Sequence, residues 1–348
     1  MQQWLKEVAR GKRGSKDLDY QQTKEVAQSI ISGKATDAQI AAYLIALRLK
    51  TESPEELLAF VHAYQDVSNK LEPSNQSIID LASPYNGRNS FTGSIPTAIL
   101  MAEYGIPVFL HGSDSLPPKY GTTIMEILLQ LGLNVSQTPQ GLAKTIEVAG
   151  IAFANTEEYC SSLGRLRGIR KELGVRTLFN TVEKLLNLAN ANSLMMGAYH
   201  RTAINKIAPI FKELSFKNVY VVQGMEGSED LPVHRNSFIY KITDKNIESS
   251  IVKPEEYGLL VQEFDKDTKL SAQEQSDITL AILSGEQSKS LQPFYNQVLF
   301  NTGIRYFLFG VVNDIGEGIE IAKQQLNEQR GLSQLEKWKV SQPENITS

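Results

Sequence analysis

From residue 78 onward the chain alternates short apolar runs with longer amphipathic stretches, and few folds accept that rhythm. The runs are IIDLA at 78–82, PVFLHG at 107–112, IAFAN at 151–155, NVYVVQG at 218–224 and SFIYKI at 237–242. Between most of them lie helix-period stretches such as IPTAILMAEYG and AINKIAPIFKEL. Strands and helices taking turns build a largely parallel sheet with helices on its faces, an α/β fold. Ligands of such sheets sit beyond the carboxyl ends of the strands, so the loops after Ala82, Leu110 and Val222 are the places to seek a site.

The first seventy residues follow another pattern. Thr36 with Gln39, and Ser53 with Pro54 and Glu56, fit capping boxes, the second with proline at the first helical position. Ile40, Tyr43, Leu44 and Leu47, then Leu57, Phe60, Val61 and Tyr64, recur at helical spacing. The polar segment SNKLEPSNQS, 68–77, separates this bundle from the alternating region. A length of 348 residues suits two domains with a cleft between them.

No apolar run approaches the roughly 18 residues that span a bilayer, and the N-terminus lacks a secretory pattern. The expectation is a cytoplasmic protein with no membrane partner. A net charge of -4 gives no global reason to bind nucleic acid, so local clusters would have to carry it. Cys160 is the only cysteine and the four histidines are scattered, which excludes an internal disulfide and a cysteine-based zinc site. Cys160 itself reads as a buried or incidental thiol rather than a nucleophile.

The loop SPYNGRNSF, 83–91, holds one glycine where a phosphate cradle needs several; Arg88 reads as a phosphate donor or a solvated loop arginine. HGSDSLPPKYGTT offers Gly112, Gly121, Lys119 and Thr122, but Pro117 and Pro118 remove N–H groups and Asp114 repels anions. QGMEGSEDLPVH, 223–234, carries Glu226, Glu229 and Asp230, which could hold Mg2+ or form a solvated acidic turn. In RLRGIRKELGVRTLFN, 165–180, Gly174 closes a helix and releases Arg176 into the turn. An arginine there could bind a carboxylate or simply charge a helix end.

RKELGVRTLFN, HGSDS through EILLQLG, VVQGMEGSED and PEEYGLL, in their order along the chain, resemble the anthranilate phosphoribosyltransferase family, related in fold to pyrimidine nucleoside phosphorylases. The resemblance implies a small helical domain, a large α/β domain with a mainly parallel sheet, a cleft between them for phosphoribosyl pyrophosphate and Mg2+, and a homodimer through the helical domains. It places the helical domain at 1–72, completed by 168–194, and the large domain at 73–167 and 195–348. It assigns Gly87, Ser94, His111, Gly112, Lys119 and Gly121 to the donor, Glu229 and Asp230 to the metal, and Arg170 to an acceptor carboxylate. The family's GTGGDG is here SPYNGRN and its KHGNRSVSSKSG is LHGSDSLPPKYG, so most phosphate donors are replaced. The acid pair GLDE becomes GSED, and no histidine stands between 151 and 199.

Two functions are implied by the resemblance. One is a glycosyltransferase of the tryptophan-biosynthesis type that moves a phosphoribosyl group to an aromatic amine such as anthranilate, with an eroded donor site. The alternative belongs to a divergent branch that binds nucleic acid as non-catalytic dimers. Its candidates here are Arg10, Lys12, Arg13, Arg165, Arg167, Arg201 and Lys206.

Overall fold

The computed structural model describes residues 1–343 except 12, 73–76, 84, 199–202, 205–206, 244–245 and 263–267. The capping boxes read from sequence are formed. Thr36 and Ser53 accept from the backbone N–H of Gln39 and Glu56, whose side chains return to the cap N–H; Asp19 and Gln22 form a third box. These caps set α2 (Tyr20–Ile31), α3 (Asp37–Lys50) and α4 (Pro54–Asp66), which pack with α1 (Gln2–Val8).

After the bundle comes a seven-stranded sheet, in the order β3-β2-β1-β4-β5-β6-β7. Its strands are β1 (Ile79–Ala82), β2 (Val108–Gly112), β3 (Ile151–Asn155), β4 (Ser193–Gly197), β5 (Asn218–Val222), β6 (Ser237–Ile242) and β7 (Ile247–Val252). The first five are mutually parallel, while β6 and β7 add an antiparallel edge. The sheet is therefore mainly parallel, as the alternation of runs implies. Two strands, β4 and β7, are absent from the sequence reading. The stretch AINKIAPIFKEL yields a 3-10 turn at Ala208–Lys212, with part of the stretch outside the described residues.

Side chains alternate across the sheet, as strand geometry requires. Leu81, Val108, Leu110 and Met195 face a core shared with α5 (Ser94–Glu103), α6 (Ile124–Gln130), α12 (Ala272–Leu283), α13 (Gln292–Leu308), α14 (Ile315–Asn327) and α15 (Arg330–Ser341). Ala82, Phe109, Leu194 and Met196 face a second core that runs without a break into Tyr43, Phe60 and Tyr64 of the bundle. α7 (Pro139–Ala149) covers β3. Beyond α8 (Thr156–Tyr159) and α9 (Ser161–Gly164), the chain returns to the bundle: α10 (Arg167–Leu173) packs on α3 and α11 (Phe179–Val182) on α4. The Phe179 ring sits 5.7 Å from that of Phe60 and 5.1 Å from that of Tyr64. Gly174 ends α10 in the left-handed region, φ 64°. Among the described residues no helix is long and apolar enough to cross a membrane.

Candidate functional site

β1 is an interior strand of the sheet, with β2 on one side and β4 on the other. Connections run away in opposite directions from this point, which opens a crevice at the carboxyl ends of the strands. A cavity of about 750 Å³ lies there. Its walls come from three sources: Arg48 and Glu52 at the end of α3, Arg176, Asn180 and Lys184 on the returning segment, and Asn86, Lys119, Gly197 and Gly227 on the strand-end loops. Among the described residues, four cationic ones face it with one acid.

The loop after β1 and the loop after β2 meet backbone to backbone. Arg88 and Thr122 form an isolated antiparallel bridge, with N–H to O distances of 3.0 Å in both directions, and the Gly121 N–H reaches the Asn86 carbonyl at 3.0 Å. Gly87 takes φ 64°, and a Cβ there would overlap the Gly121 carbonyl. These two glycines, assigned from sequence to the donor, allow the loops to approach each other. Gly112 ends β2 next to the Phe153 ring.

Arg88 corrects both sequence readings of it. It is neither a solvated loop residue nor a free phosphate donor, because its side chain is only 2% exposed and fully engaged. Nε donates to Thr92 Oγ1 at 3.1 Å and the terminal nitrogens to Ser228 Oγ, the Phe91 carbonyl and Asp230. The turn after β5 is correspondingly no solvated acidic turn, since Glu229 and Asp230 are wholly buried. Ser83 Oγ donates to Glu229 Oε1 at 2.6 Å, and Ser94 Oγ donates to the same oxygen. The Ser94 N–H donates to Asp230 Oδ2 at 2.9 Å. From α13, Arg305 reaches Asp230 Oδ1 at 3.4 Å and the Glu229 carbonyl at 3.3 Å. Two guanidinium groups thus balance two carboxylates, as buried charges require.

The donor set for a divalent cation is fixed by these contacts. Both Asp230 oxygens are taken by arginines, whereas Glu229 Oε2 is buried without a hydrogen-bond partner among the described residues. Among those residues no three His, Cys, Asp or Glu side chains converge. Mg2+ can be held by one carboxylate oxygen when phosphate oxygens and water fill its other positions, and in this turn the oxygen without a partner among the described residues is Glu229 Oε2. The third acid of the turn, Glu226, stands in the left-handed region at φ 51°. It accepts from the Asn89 and Ser90 N–H groups at 3.1 and 2.7 Å and pairs with Lys119.

His111 is buried in a polar chain instead of facing the cavity. Its Nε2 meets Asp80 Oδ1 at 2.9 Å, and its Nδ1 meets the Tyr85 hydroxyl. That hydroxyl also contacts Thr156 Oγ1 at 2.6 Å and donates to the Glu183 carbonyl at 3.1 Å. Burial, reinforced by the Glu183 charge, pushes the Tyr85 phenol well above its ordinary range, so it stays protonated. Arg170 is 3% exposed and donates to Glu183 Oε2 at 2.6 Å. Burial raises the Glu183 carboxyl while Arg170 pulls it down. A carboxylate from the chain itself therefore engages one terminal nitrogen of Arg170, and its Nη2 has no hydrogen-bond partner among the described residues.

Of the basic residues assigned to nucleic acid, the described ones have separate surroundings. Arg10 pairs with Glu7, and Arg13 is exposed. Arg165 donates to the Ile31 carbonyl and Ser162 Oγ. Arg167 donates to Glu157 and to the loop at Ser113, Asp114 and Ser115. Lys12, Arg201 and Lys206 lie outside the described residues. Cys160 is buried, and burial raises its thiol.

Sequence reasoning overlooked Arg48, Lys184 and Arg305. The last had a visible signal, an arginine inside the apolar run FNTGIRYFLFG, which needs a buried carboxylate. Arg48 and Lys184 carried none, because only the tertiary fold brings them to the cavity.

A helical bundle packed against an open, mainly parallel sheet, with a cationic cleft at the strand ends, defines a two-part α/β protein. The chain belongs to the glycosyl transferase family that includes the anthranilate phosphoribosyltransferases: the family's helical bundle domain matches residues 2–68 and its a/b domain residues 77–331. It is 30% identical over 335 residues to the anthranilate phosphoribosyltransferase of Persephonella marina, covering 96% of this chain and 97% of that one. It is also 30% identical over 320 residues to the enzyme of the same name from Caldicellulosiruptor saccharolyticus, covering 92% and 93%. The crystal structure of the Thermus thermophilus anthranilate phosphoribosyltransferase superposes with a TM-score of 0.81 at 22% identity, over 97% of this chain and 98% of that one. The Saccharomyces cerevisiae enzyme in complex with PRPP and Mg gives 0.81 at 19% identity, over 98% and 97%. These two likenesses establish the fold.

Proposed function

We propose that this anthranilate phosphoribosyltransferase-like protein holds phosphoribosyl pyrophosphate with Mg2+ in the interdomain cleft and transfers the phosphoribosyl group to an amine. The observation that carries the reading is the cavity at the sheet's switch point, walled by Arg48, Lys119, Arg176 and Lys184 from both parts of the molecule. The relatives' names and the yeast complex with PRPP and Mg supply the donor. In the transfer, the amine nitrogen bonds to the sugar C1 as the C1–O bond to pyrophosphate breaks. Negative charge then grows on the leaving group, and fixed positive charge in a confined site stabilises it. Glu229, steadied by Ser83 and Ser94, would hold Mg2+, which supplies Lewis-acid stabilisation of that charge. Asp230 has a different task, because it anchors Arg88 and Arg305.

Arg170 pairs with Glu183 through Nη1, while its Nη2 has no hydrogen-bond partner among the described residues, so one guanidinium nitrogen remains for an acceptor carboxylate such as that of anthranilate. Release of pyrophosphate measured over a panel of aryl amines tests the reading. Faster release with anthranilate than with aniline-type amines is expected, and the reverse order would show that Arg170 does not receive the acceptor. No release with any amine, together with salt-sensitive binding of oligonucleotides, would replace this reading by the nucleic-acid alternative.

A further inference from the structure

We infer that Lys184 anchors a phosphate subsite built from side chains, which stands in for a glycine-rich backbone cradle; this rests on the cleft being the ligand site. Lys184 lies on the 3-10 turn Glu183–Leu185, on the segment that joins the bundle to the sheet. It is 4% exposed and yet lines the cavity. An ammonium carries three N–H donors, and among the described residues the single hydrogen bond of Lys184 is a long one, 3.5 Å to the Gly227 carbonyl.

The charges around it leave that cation short of a partner. The carboxylate of neighbouring Glu183 gives one oxygen to Arg170, and its Oε1 has no hydrogen-bond partner among the described residues, Lys184 included. On the sheet side, Glu229 has one oxygen held by Ser83 and Ser94. Arg176 faces Lys184 with like charge. Burial foremost, then Arg176, lowers the ammonium from 10.5 to about 8, with Glu229 and Glu183 opposing. The other cations of the wall are already engaged, since Arg48 donates to the Arg176 carbonyl at 2.6 Å and Lys119 pairs with Glu226. Lys184 is therefore a buried cation of the cleft wall whose one hydrogen bond among the described residues is long. A phosphate group meets it with several charged oxygens, which a neutral sugar hydroxyl does not.

Calorimetric titration of the full chain with inorganic phosphate, pyrophosphate, ribose 5-phosphate and ribose tests the subsite. The phosphate compounds should bind at pH 7 and ribose should not, and Lys184→Met should weaken phosphate binding at least tenfold. Between pH 7 and pH 9.5 the wild-type affinity should fall as the ammonium loses its proton. Lys184→Arg should bind and show no such fall, and circular dichroism of both variants confirms folding. Unchanged affinity in Lys184→Met, with loss in Arg176→Ala, would overturn the role of Lys184 and leave the cleft reading intact. Absence of binding by every phosphate compound to the wild type would overturn the cleft reading itself.

Discussion

Arg88 and Arg305 enter a place without solvent, and each meets a carboxylate oxygen of Asp230 there. Removing one member of such a buried set leaves a charge uncompensated, which costs about 3–5 kcal/mol. Arg88→Ala should therefore lower the unfolding free energy in urea by that amount, and a loss below about 1 kcal/mol would show that the charges are not mutually dependent. Lys184 gives a pH prediction whose sign is fixed by its lowered value. Between about pH 8 and pH 10.5 the unfolded chain binds the proton that the folded chain has released, so stability contributed by this group rises with pH. Below pH 8 the cost of burying its charge is present in full. Lys184→Met should accordingly be more stable than wild type at pH 7, with the gap closing by pH 10.5; a gap independent of pH would contradict it. Residue types could be read from the sequence here, but partners could not. Arg88 stands 142 positions from Asp230, and nothing local shows that the two meet.

Caps and close approaches govern the elements. Thr36 and Ser53 form the boxes read from their spacing, because a cap is made by residues three apart and needs no tertiary partner. Replacing either by alanine should cost about 1 kcal/mol, measurable as a drop in denaturation midpoint at unchanged slope. Gly87→Ala should be more damaging than either cap change, since its φ of 64° disfavours a side chain and the Gly121 carbonyl occupies the space. Both expectations fail if the cap variants lose more stability than Gly87→Ala. Five strands were legible as apolar runs, and two were not. β4, SLMMG, has few β-branched residues and is a strand because β1 and β5 pair with it on either side. β7, IESSIV, is exposed along most of its length and exists through its antiparallel pairing with β6. In both, tertiary pairing overrides weak local propensity.

Across the whole molecule, the helical bundle and one face of the sheet share a continuous core. The segment 167–185 is the joint between them, with Phe179 wedged against Phe60 and Tyr64. Phe179→Ala should cost about 3–5 kcal/mol and should also weaken ligand binding, because Arg176 and Lys184 ride on the same segment. The general place of the cleft was legible from the alternation of strands and helices. Its chemistry was not, because Arg48, Lys119, Arg176 and Lys184 come from separate stretches and face one cavity only after folding. The most direct measurement is calorimetric titration of the purified chain with phosphoribosyl pyrophosphate, with and without Mg2+, beside the Glu229→Ala variant. One bound donor per chain is expected, tighter with Mg2+ in the wild type and indifferent to Mg2+ in the variant. No heat at millimolar donor from a folded wild-type protein would contradict the assignment of the cleft.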